Sequence, residues 1–150
     1  MNKTILFSGL LFFTLIGCKH RVVVDAPAIL RHSPEEVEAI LGKPDSTYAT
    51  ETLAGPALAQ HFRMYNVEVE YVDNKASYIS VKGPHGLPFS EEALEAFNAK
   101  ALGEPTKSAD EKVLRWIKMQ APIEAISFAA THYDSLQNVD NFTVTIIGRK

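Results

Sequence analysis

One cysteine, Cys18, stands in 150 residues, so no disulfide can form within the chain. Cations are also short: 15 lysines and arginines face 18 acids, a formal net charge of −3. That balance offers no basic face to displace counterions, which excludes nucleic acid as a partner and a polybasic grip on lipid headgroups. The common catalytic signatures are missing. His20, His32, His61, His85 and His132 include no pair spaced three or four apart, so no helical zinc pair exists. There is no Gly-x-Ser-x-Gly elbow, no Ser-x-x-Lys pair, no glycine-rich phosphate loop and no acidic calcium loop. His132-Tyr133-Asp134 reads as a polar turn entrance, since neighbours on a strand point to opposite faces. The reading is therefore non-enzymatic, with no catalytic residue, no metal ligand and no cofactor assigned. The alternatives are an unrecognised hydrolase, with a site around His85 or His132, and a structural protein without a dedicated partner.

What is present begins at the N-terminus. Lys3 supplies a positive start, and Ile5 to Ile16 supply an apolar stretch ending in small Gly17, the layout of an export signal. The stretch falls short of the ~20 residues a membrane span needs, and no later segment reaches that length. Leu15-Ile16-Gly17-Cys18 resembles the lipobox of bacterial lipoproteins, in which cleavage falls between Gly17 and Cys18 and the cysteine sulfur is diacylated. Buried acyl methylenes contribute about 0.8 kcal/mol each, and two chains give stable anchoring where one does not. The expectation is a signal peptide over 1–17, then a lipid-anchored protein of the cell envelope. Lys19 rather than an aspartate after Cys18 leans towards the outer membrane. Removing 1–17 from 150 residues leaves 133, enough for one domain without a disulfide or metal. The lost lysine moves the formal charge from −3 to −4.

Residues 18–32 read as anchor and tether, with Val22-Val23-Val24 a candidate edge strand and Pro27 a break. Ser33-Pro34-Glu35-Glu36 spells a capping box with proline at the first helical position. Val37, Ile40 and Leu41 then form a helical stripe, Gly42 a left-handed stop and Pro44 a barrier to continuation. The pattern recurs. Ser90 precedes Glu91-Glu92, the stripe is Leu94, Phe97, Ala101 and Leu102, and Gly103 and Pro105 are the stop. The paired glutamates sit where negative charge favours a helix dipole, which makes them caps rather than catalysts. Phe62–Tyr65 corresponds to Leu114–Ile117, and an alternating strand, turn and return strand follow each (67–72 and 77–82; 123–130 and 142–147). A first module over 33–82, a linker over 83–89 and a second module over 90–150 result. The predicted fold is α+β: two tandem helix–strand–strand(–strand) repeats in one antiparallel sheet, both helices on one face.

On Glu36, Val37, Leu41, Gly42, Pro44, Arg63, Tyr65 and Val81, with Leu102, Gly103, Pro105, Arg115 and Trp116 in the second half, the chain resembles the SmpA/OmlA small outer-membrane lipoproteins. It is also similar to the tandem-repeat β-lactamase inhibitor proteins. The likeness covers residues 33–147 through a short, degenerate motif. It implies a non-catalytic protein that binds another envelope protein, as an assembly accessory or an inhibitor-like module.

A sheet covered on one face leaves the other wet, and aromatics there serve binding more often than solvation. Tyr48, Tyr65, Tyr71, Tyr78 and Trp116 fall on predicted strands. Alternation puts Tyr71 with Val67 and Val69 in the core and Tyr78 on the open side, and leaves Tyr65 and Trp116 unplaced. Tyr65, Tyr78 and Trp116 are the candidate partner-binding residues.

Overall fold

The computed structural model describes residues 22–52, 55–84, 86–130 and 142–149. Gly17, Cys18, His85, His132 and the turn expected between the strands at 123–130 and 142–147 lie outside them. Among the described residues eight strands form one antiparallel sheet: β1 (Ser46–Thr52), β2 (Gly55–Phe62), β3 (Val67–Val72), β4 (Lys75–Lys82), β5 (Thr106–Lys107), β6 (Val113–Trp116), β7 (Ile123–Ala130) and β8 (Phe142–Gly148). Their order across the sheet is β1-β2-β3-β4-β8-β7-β6-β5. The central seam joins β4 to β8, with Ile79 opposite Ile146 and Val81 opposite Val144.

The expected α+β arrangement of two comparable helices does not hold; the molecule is dominated by its sheet. Among the described residues, helical structure is confined to α1 (Ala26–Ile29), α2 (Pro34–Leu41) and two 3-10 segments, Arg63–Tyr65 and Glu91–Phe97. α2 follows its sequence signals. Ser33 Oγ accepts from the Glu36 amide at 3.3 Å, and the Glu36 carboxylate accepts from the Ser33 amide at 2.8 Å.

The second segment departs from expectation for two reasons. Ser90 makes no capping hydrogen bond, and the buried residues are Ala93, Leu94, Ala96 and Phe97. Those fall in two pairs three apart, which the three-residue turn of a 3-10 helix stacks one above the other. Asn98, at φ 50°, then takes the left-handed turn expected of Gly103, whose φ is not positive. The chain leaves extended: Ala101 bridges Met119 and the Leu102 amide donates to Lys118 O at 2.7 Å. Leu102 is thereby 61% exposed rather than part of a buried stripe.

The core lies on one face of the sheet. Val67, Val69 and Tyr71, Ile79 and Val81, Val144 and Ile146, Ile126 and Phe128, Leu114 and Trp116 all point into it. An aromatic cluster fills the second half: Trp116 meets Phe128 edge-on with centroids 5.0 Å apart, and Phe128, Phe142 and Phe89 continue it. Residues 22–32, expected as a tether, pack into this core. Val24, Ala26, Ile29 and Leu30 are buried, and the Val23 amide donates to Ala96 O at 2.7 Å instead of joining a strand. Arg31 and His32 clamp Ala76 through its carbonyl and amide, both at 2.8 Å.

Candidate functional site

Among the described residues, no helical segment covers the opposite face of the sheet. The buried residues Ala26 and Ile29 of α1, Val37 of α2, and Ala93, Leu94, Ala96 and Phe97 of the 91–97 segment belong to the core-side cluster. Strand register defines two rows across the open face. One runs Tyr48, Ala59, Glu70, Tyr78, Ile147 and Ala125; the other runs Ser46, His61, Glu68, Ser80, Thr145, Ser127, Arg115 and Thr106. The bulge between Glu70 and Tyr71 makes Ser77 the extra residue on β4, which returns Tyr78 to the open side opposite Glu70 while Ala76 stays in the core.

Small hydroxyl residues floor the middle of this surface, and larger groups stand over β1 to β4. The Tyr48 hydroxyl donates to Glu68 Oε2 at 2.6 Å, and that bond holds the phenol above its ordinary pKa. Partial burial, reinforced by the negative charge of Glu68, raises the Glu70 carboxyl above the usual carboxylate range. The ion pairs among the described residues join Arg63 to Asp45, Lys107 to Glu111 and Lys112 to Asp110. Neither Glu68 nor Glu70 is in them. Two tyrosines beside two carboxylates without a cationic partner make a platform that favours hydrogen-bond donors and cations.

The foot of the face opens into a cleft of ≈ 590 Å³, where Tyr78 and Ile147 meet Arg31, Lys75 and Arg149, with Glu124 on its wall. The foot thus carries three cations, with Asp73 and Glu124 as the acids of its lining.

The candidate residues are dispersed. Tyr78 stands on the open face, half-buried. Tyr65 lies off the sheet, in the 3-10 turn after β2, 37% exposed beside the 86%-exposed Met64. Trp116 is fully buried against Phe128 and offers no surface to a partner. Tyr48 and the Glu68–Glu70 pair were not singled out, although the alternation of Glu68 and Glu70 with Val67, Val69 and Tyr71 already put them opposite the core. Among the described residues no group of three or more His, Cys, Asp or Glu is placed to hold a metal ion. None of their helices is long and apolar enough to cross a membrane.

Comparison with family models, with curated proteins and with solved structures finds no match.

Proposed function

We propose that this protein is a non-enzymatic lipoprotein of the cell envelope, anchored through Cys18 at the outer membrane, that binds a protein partner through its open sheet face. The observation that carries the binding role is the Tyr48–Glu68–Glu70–Tyr78 platform. Aromatic rings and carboxylates lacking an ion-pair partner are grouped on the one sheet face that the helical segments leave uncovered. Tyrosine supplies contact area with little conformational entropy to lose, which suits it to the centre of an interface. The anchor rests on the export-signal layout and on the position of the single cysteine.

Photo-crosslinking in envelopes tests the binding role. A benzophenone side chain at position 78 or 80 should capture one protein stoichiometrically, and the same group at exposed position 104 should not. Equal capture from 104 removes the open face as the site, and turnover of ester or glycan substrates by the purified protein removes the non-enzymatic reading. Labelling with a fatty acid tests the anchor: Cys18→Ser should take up no label and leave the membrane fraction.

A further inference from the structure

The two edges of the sheet are built differently. β5 is two residues long, and the segment that follows it is laced with the Lys107–Glu111 and Lys112–Asp110 pairs. Short, charged edges resist pairing with another chain. β1 has none of that protection. It runs seven residues, Ser-Thr-Tyr-Ala-Thr-Glu-Thr, in unbroken register with β2, and it holds no proline, no lysine and one charge, Glu51. Most of its residues are exposed. As the terminal strand of the sheet it leaves one row of backbone amides and carbonyls without a neighbouring strand among the described residues.

We propose that β1 pairs with β1 of a second copy, antiparallel, about a two-fold axis through Ala49. The strand is complementary to itself in that register. Tyr48 then lies opposite Thr50 of the other copy, an aromatic beside a β-branched residue, and this contact occurs twice. Thr47 lies opposite Glu51, hydroxyl against carboxylate, also twice. Ala49 faces Ala49, the smallest side chain at the axis, and no like charges meet. All seven residues are paired. Sliding by two residues leaves five pairs, and sliding by one places the open face of one copy beside the core face of the other. The full register therefore joins the two sheets into one, with both open faces on the same side and both Tyr48–Glu68 pairs flanking the junction. Pairing of one seven-residue strand along each edge makes a small interface, so the dimer is weak in solution and gains from confinement of both copies to one membrane.

Sedimentation equilibrium of the soluble chain, at rising concentration towards the millimolar range, reads the association. Wild type should self-associate to a dimer and no further. Ala49→Lys and Ala49→Glu each set like charges against one another at the axis and should weaken the dimer by about tenfold or more. An equimolar mixture of the two variants should restore it. Ala49 is exposed, so unchanged thermal melts confirm that both variants fold. A monomer throughout the range overturns the proposal. So does a dimer indifferent to either charge, or a mixture that fails to associate.

Discussion

The Tyr71 hydroxyl donates to Gln60 Oε1 at 2.6 Å inside the core, and Gln60 Nε2 donates in turn to Glu38 Oε1 on α2 at 3.2 Å. Gln60 is 3% exposed on the strand face otherwise given to Leu58 and Phe62. It ties α2 to the sheet by polar contacts, where the second half uses aromatic packing. Burial, with negative charge from Glu38 and Glu35, pushes the Tyr71 phenol far above its ordinary pKa, so it remains a donor at any physiological pH.

Gln60→Leu should therefore destabilise the fold by about 1–3 kcal/mol, because it leaves a buried phenol without an acceptor. Adding Tyr71→Phe removes the stranded group and should return most of that loss. Urea unfolding of the two single variants and the double variant checks the coupling. Simple additivity would show that the bond contributes nothing beyond packing.

Glu70 makes stability depend on pH. Its folded pKa is raised, so the folded state holds the proton more tightly than the unfolded state does. Stability from this group is present at low pH and declines as pH rises through the unfolded and then the folded pKa. Glu70→Gln should raise the urea midpoint at pH 7 by the equivalent of well under about 1 kcal/mol, since the site is half open to solvent. The gain should fade near pH 3. A gain of the same size at both pH values would assign the effect to packing instead of charge.

Strand identity was largely legible because alternation is local: Val67 to Val72 and Ile123 to Ala130 show their buried sides without reference to anything distant. The capping box of α2 was legible for the same reason, since all its groups lie within four residues. The 91–97 segment was not, because α and 3-10 geometry differ by which residues the core accepts, and Phe128 and Phe142 arrive from far along the chain. β1 was marked in the sequence by Tyr48 alone: Ser46–Thr52 has no apolar alternation, and only its pairing with β2 fixes its extent. For the platform, Glu68, Glu70 and Tyr78 could be placed by parity alone. Tyr48 reaches Glu68 across two strand boundaries, which only the folded register reveals.

Leu30 tests the reassignment of the N-terminal segment. It is 1% exposed, and a Cβ added at Gly148 would come within 3.0 Å of its Cδ2, so Leu30 packs closely against the end of β8. Leu30→Ala should cost about 2–5 kcal/mol, the range for a large aliphatic truncated in a core. Val22→Ala, at a site 53% exposed, should cost almost nothing. Thermal or urea unfolding distinguishes them, and a tether would leave both variants as stable as the parent.

The two glycine stops separate in the same way. Gly42 ends α2 at φ +84° and ψ −175°, a combination that essentially only glycine adopts. An added Cβ there meets nothing within 4 Å, so the cost of a side chain is backbone strain alone. Gly103 lies outside the positive-φ region, and its Cβ would rest 3.5 Å from Lys118 Cδ, an ordinary contact with a flexible side chain. Gly42→Val should destabilise by about 1–3 kcal/mol, whereas Gly103→Val should fall within about 0.5 kcal/mol of the parent, as surface substitutions do. Matching Leu-Gly-x-Pro tetrapeptides thus perform different work at 41–44 and 102–105. The left-handed turn of the second half belongs to Asn98, five residues before Gly103, and Asn98→Val should reproduce the penalty seen at Gly42. Equal losses at Gly42 and Gly103 in urea unfolding would place a left-handed stop at both glycines and overturn this division.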